Sequence, residues 1–181
     1  MNLQNNEIIL KEILPKKGFF FNMTEKIRAV FFFIFLVLST MFLINTIASI
    51  LFFFVVIVVG IIFFTTFFKW ILTYFKVKNN YYLITNERII VAKQSTKEII
   101  KEKKLSEIKQ VHIEMNNKFF GNIIFGEPEA AFGENNSRFI VSKRMEMNFK
   151  PDEYAFLSVD NISEIIPVFE NLKLKVNKTF Y

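Results

Sequence analysis

Cysteine is absent from the 181 residues, and with it go disulfide frameworks, thiolate metal sites, thiol redox chemistry and a cysteine nucleophile. A single histidine, His112, leaves too few imidazoles for a zinc centre or a triad. In the alternating run Val111-His112-Ile113-Glu114 it shares a face with Glu114, expected to be an ordinary polar strand surface. None of the five glycines stands in a G-x-x-x-x-G-K or G-x-G-x-x-G pattern, so no phosphate loop is expected. No carboxylate cluster has calcium-loop spacing. The expectation is a non-enzyme with no catalytic residue, no metal and no cofactor.

What the chain does contain is apolar: 52% of its residues are hydrophobic and 25 are Phe. The excess sits in one block. Ala29 to Phe68 is 40 residues without Asp, Glu, Lys or Arg, and 12 of them are Phe. As one helix the block would run about 60 Å, roughly twice the hydrocarbon thickness of a bilayer. Two spans are therefore expected, Ile27 to Ile44 and Ile50 to Tyr74, turning at about Asn45 to Ser49. Twenty-nine Phe, Ile, Leu or Val positions in the block make insertion favourable by roughly 10 kcal/mol. Lys16, Lys17, Lys26 and Arg28 precede the block and Lys69, Lys76 and Lys78 follow it, which predicts a multi-pass inner-membrane protein with both termini cytoplasmic. Arg28, Lys69, Trp70 and Tyr74 are the expected membrane-interface anchors. Small and polar positions, Ser39, Thr46 and Gly60 among them, suggest helix contacts within a homo-oligomer or with a protein partner, Gly60 allowing the closest backbone approach.

From Asn79 onward the period shortens. Tyr81–Thr85, Arg88–Lys93, Lys97–Lys103, Val111–Met115, Asn122–Phe125, Phe139–Ser142 and Tyr154–Val159 read as strands. Ile162, Ile165, Ile166, Phe169 and Leu172 then fall on one helical face, with Asn161 and Glu164 spaced as a capping box and Pro167 as a possible kink. The fold class expected is α+β: a transmembrane hairpin, then an antiparallel barrel or sandwich of about seven strands capped by a C-terminal helix. The domains expected are an N-terminal cytoplasmic segment 1–26, the hairpin 27–75 and a cytoplasmic domain 79–181.

Tyr82-Leu83-Ile84-Thr85-Asn86-Glu87-Arg88-Ile89 resembles the Y-x-[LI]-T-[ND]-x-R-[IL] opening of the bacterial pleckstrin-homology-like (bacterial PH) membrane proteins, many of which follow a two-span hairpin. Leu105-Ser106-Glu107-Ile108 with Val111, and Gly121-Asn122-Ile123-Ile124-Phe125, are similar to later segments of that family in the same order. The stretch 126–151 departs from it. The resemblance implies a pleckstrin-homology-like fold. Phosphoinositide binding is not expected, because the first turn, Asn86-Glu87, is short and acidic. Arg88 is expected to pair with a carboxylate or a carbonyl.

Lys97, Lys101, Lys103, Lys104 and Lys109 are the remaining signal, interleaved with Glu98, Glu102 and Glu107. They read first as a solvated strand edge and second as a contact for anionic headgroups. No aromatic–basic interleaving of the RNA-binding kind occurs, so nucleic acid is not an expected partner. The functional expectation is a membrane-anchored adaptor or assembly module with the lipid bilayer as a partner. Its alternatives are an accessory subunit of a membrane enzyme or transporter, or a sensor of anionic lipid surfaces.

Overall fold

The structure is a computed structural model describing residues 6–16, 18, 20–45, isolated positions from 54 to 75, 77–129 and 152–181. The expected turn near 46–49, most of the second span and the expected strand Phe139–Ser142 lie outside the described residues. Contacts divide the chain into a sheet unit, 1–20 with 74–129 and 152–181, and a helical unit, 21–73 with 130–151. The N-terminal segment therefore splits between the two units.

Among the described residues, eight strands build the sheet unit: β1 Ile9–Ile13, β2 Asn80–Thr85, β3 Arg88–Lys93, β4 Ile99–Lys104, β5 Gln110–Met115, β6 Gly121–Phe125, β7 Ala155–Val159 and β8 Lys175–Phe180. They form two four-stranded sheets, ordered β1-β2-β3-β4 and β7-β6-β5-β8. Every pairing is antiparallel except β5 with β8, which is parallel. Alternation sends Tyr82, Ile84, Ile89 and Val91 to one side of the first sheet, where they meet Val111, Ile113, Ile123, Phe125 and Phe156 of the second. Tyr82 stacks on Phe156 with ring centroids 4.6 Å apart, and Phe125 meets Phe156 edge-on at 4.7 Å. On the opposite face of β2 and β3, Tyr81, Leu83, Ile90 and Ala92 form a second buried cluster with Ile9 and Ile99 packed against it. Burial on both faces explains why these two strands read as nearly continuous apolar runs.

Among the described residues both sheets are open, so of the expected antiparallel barrel or sandwich no closed barrel forms, and one pairing, β5 with β8, is parallel. Near their junction, Lys16 N–H donates to Ser158 O at 2.8 Å, but Ser158 has a φ of 56°. That left-handed residue interrupts the extended backbone a ladder would need. The C-terminal cap is also corrected. Ile162–Glu164 forms a 3-10 turn, followed by the six-residue helix α2, Ile166–Asn171. Asn161 itself is left-handed (φ 51°) and makes no side-chain cap, so the capping box is not used. Pro167 lies in the first turn of α2, where its missing N–H costs nothing. The apolar face read from periodicity is nonetheless buried, with Ile165, Ile166 and Phe169 all in the core. Lys173 (φ 57°) then turns the chain into β8.

In the helical unit, α1 runs Met23–Asn45. Asn22 starts it four residues before the expected boundary, its Oδ1 accepting the Glu25 N–H at 2.7 Å. Glu25, Lys26 and Arg28 consequently lie within the helix. The uncharged run from Ala29 to Asn45 spans about 25 Å, short of the roughly 30 Å hydrocarbon layer. Among the described residues no helix is long and apolar enough to cross a membrane. This overturns the transmembrane hairpin, and with it the multi-pass inner-membrane location, the cytoplasmic placement of both ends, the bilayer as partner and the membrane-anchored adaptor. The membrane-subunit alternative, which needs the same span, falls with it, and the lipid-sensor alternative loses the anchor that would hold it at a bilayer.

Candidate functional site

The lysines singled out from the sequence differ in what their ammonium groups meet. Lys97 Nζ stands 3.6 Å above the Tyr81 ring. Lys101 Nζ donates to Glu153 O at 2.9 Å, and Lys103 Nζ to Phe125 O at 3.3 Å while lying 4.8 Å from the Tyr154 ring. These three side chains fold back over strand ends and aromatic rings. Lys97, Lys101, Lys104 and Lys109 are exposed and Lys103 is half-buried. Arg28 is buried and pairs with Glu25 at 2.7 Å, whereas Lys69, Trp70 and Tyr74 lie outside the described residues.

Arg88 does pair with carboxylates, but inside the protein. Its Nε and Nη2 grip Glu7 at 2.9 and 2.8 Å in a two-pronged contact, and Nη1 pairs with Glu102. Thr85 Oγ1 lies 2.8 Å from Glu7 Oε1 and accepts the N–H groups of Glu87 and Arg88, which shapes the tight β2–β3 turn. The Glu7 hydrogen bond holds the guanidinium above its ordinary range despite burial, and the Glu102 charge adds to it. This network clamps the N-terminal segment to the β2–β3 hairpin, with the Glu102 side chain half exposed at its outer end.

The surface of the second sheet differs from expectation. Glu114 is buried and His112 half-buried, because β8 lies beside β5. Three side-chain pairs step along the two strands at one constant offset. Asn177 Nδ2 donates to Gln110 Oε1 at 3.2 Å, Thr179 Oγ1 lies 3.4 Å from His112 Nε2, and the Tyr181 hydroxyl donates to Glu114 Oε1 at 3.4 Å. Lost solvation, then the Glu114 carboxylate, push the Tyr181 phenol above its usual range. The row holds β8 in register. Among the described residues, no three His, Asp or Glu side chains converge as metal ligands would.

Gly121 belongs to the same construction: a Cβ there would fall 1.8 Å from the Glu114 carbonyl oxygen, so only glycine lets β6 approach β5 so closely.

β8 is the candidate binding element. Among the described residues the two open sheets have four edge strands, β1, β4, β7 and β8, and an edge strand exposes a row of backbone donors and acceptors. The ladder of β1 shifts register between Ile9 and Lys11, that of β4 at its Val91/Ala92 partners, and that of β7 at its Gly121/Ile123 partners. Only the β5–β8 ladder, among these, runs unbroken, through six consecutive pairs from Gln110–Lys175 to Met115–Phe180. Tyr181 N–H donates inward to Met115 O at 3.0 Å, so strand alternation turns the N–H groups of Val176, Lys178 and Phe180 outward. Among the described residues, no backbone hydrogen bond is made on that outer side. Nothing in the sequence pointed to this strand, whose composition is polar. No family model, curated protein or solved structure matches the chain, so the pleckstrin-homology-like resemblance rests on the quoted motifs alone.

Proposed function

We propose that the chain is a non-catalytic binding domain that captures an extended peptide segment by strand addition at the outer edge of β8. The supporting observation is the regular, unbroken β8 ladder with its outward backbone groups. Main-chain hydrogen bonds along such an edge supply affinity, and alternate side chains supply selectivity. The other three edges carry bulges, which misalign an incoming strand. The side-chain row from Gln110–Asn177 to Glu114–Tyr181 keeps β8 fixed to β5, so an arriving strand meets a preformed edge.

The reading is tested with the full chain and a panel of labelled, capped peptides of alternating Thr and Val, neutral, acidic and basic, each about nine residues long to span β8 with an overhang. Lys178→Pro removes one outward N–H without touching the inner ladder, a substitution that edge strands tolerate. Binding of panel members that Lys178→Pro abolishes, with the melting temperature retained, is the expected result. No binding by any peptide, or binding that ignores Lys178→Pro, would refute strand capture at β8.

A further inference from the structure

The two ends of the β8 edge differ in chemistry. At its beginning Lys173 and Lys175 are exposed, and Lys109, also exposed, directly precedes Gln110, the residue paired with Lys175. At its end Phe180 is 58% exposed and Tyr181 40%, and Phe119, in the turn that follows β5, is 43% exposed. Between them, Lys178 is engaged with Glu170 of α2 at 3.6 Å. The edge is thus basic at one end, internally neutralised in the middle and aromatic at the other. A solvent-exposed lysine group desolvates at little cost when a carboxylate approaches, and exposed aromatic rings gain from apolar cover.

We propose, on the footing of strand capture at β8, that the captured segment is acidic and runs antiparallel to β8, with an aromatic or apolar residue opposite Phe180 and a carboxylate opposite Lys175, five positions later. Antiparallel pairing is the more stable arrangement per residue. In that direction the peptide's apolar residue comes first and its acidic residue last. Strand alternation puts Lys175 and Phe180 on opposite faces of the sheet, so the two recognised side chains project to opposite faces of the peptide. The surface lysines also repel a second copy of this same edge, which keeps β8 available. The overall charge of +6 favours the approach of an acidic partner.

The test uses the full chain and two capped peptides of identical composition, one with the aromatic residue leading and the carboxylates trailing, the other in reverse order. The forward peptide is expected to bind roughly fivefold more tightly, the scale of one exposed charge pair plus one aromatic contact. Lys175→Glu should weaken the forward peptide roughly threefold, and added salt should shrink that effect. Equal binding of both peptides, indifferent to Lys175→Glu but abolished by Lys178→Pro, would overturn the acidic antiparallel assignment and leave strand capture standing. If neither peptide binds, or Lys178→Pro changes nothing, strand capture itself fails and this assignment with it.

Discussion

The sheet unit and the helical unit handle apolar surface in opposite ways. In the sheet unit, β2 and β3 bury both faces, and Leu83 and Ile90 are fully enclosed. In the helical unit, α1 leaves Val30, Phe33, Ile34, Leu38 and Met41 exposed, Phe33 at 66%, while the charged pair Arg28 and Glu25 is buried. A cleft of about 670 Å³ lies along α1, lined by Phe32, Phe35, Leu36, Ser39, Gly60 and Phe64 among others. Among the described residues, a Cβ at Gly60 would meet nothing within 4 Å. Apolar composition alone does not decide where a side chain ends up. Two sheets facing one another cover each other's pleats, whereas α1 is apolar around most of its circumference and leaves many of those side chains exposed.

Stability tests should separate the units sharply. The largest effect is expected at Phe169, fully buried and edge-on to Phe125 at 5.7 Å. Phe169→Ala should cost about 3 to 5 kcal/mol in denaturant unfolding; an unchanged midpoint would mean that α2 does not close the core. Next comes Arg88→Met, which strands the Glu7 carboxylate in the interior and should cost about 3 kcal/mol. The double variant Glu7→Gln with Arg88→Met should recover part of that loss, because the buried charge goes with its partner. Simple additivity of the two single effects would show that the pair is not coupled.

A smaller effect is expected at Tyr82, whose hydroxyl donates to Leu157 O and accepts Leu157 N–H, both at 3.2 Å. Tyr82→Phe should cost about 1 kcal/mol at neutral pH. Burial raises this phenol from 10.0 to about 12, and Tyr81 is raised to about 12 by burial and then by Glu12. A raised folded-state value means that the stabilising contribution is complete below pH 10.0 and is lost as pH climbs through about 12. Wild-type protein should therefore unfold across that alkaline window, and Tyr82→Phe should retain a larger share of its stability there. Parallel alkaline curves for the two proteins would show that Tyr82 ionises freely. At the bottom of the scale, Phe33→Ser on the exposed face of α1 should change stability by less than about 0.5 kcal/mol. A large loss would show that this face is covered after all.

Strands β2, β3, β5, β6 and β7 were legible because their signals are local: β-branched and aromatic runs bounded by turn residues. The elements that escaped depend on distant partners. β1 is a short run whose mate, β2, begins more than sixty residues later. β8 reads as Lys-Val-Asn-Lys-Thr-Phe, polar enough to pass for a tail, and becomes a strand by pairing in parallel with β5. The Arg88–Glu7 clamp joins residues 81 positions apart, so the motif containing Arg88 announced a carboxylate partner without naming it. α1 was misplaced at its start because the Asn22 cap lies upstream of the apolar block that drew attention.

Hydrogen exchange along β8 is the most direct test of strand capture. In the free full chain, the N–H groups of Asn177, Thr179 and Tyr181, which face β5, should exchange slowly, and those of Val176, Lys178 and Phe180 quickly. Adding the forward acidic peptide should slow the second set and leave the first unchanged. Outward amides already protected in the free chain, or equally fast with and without saturating peptide, would contradict the account.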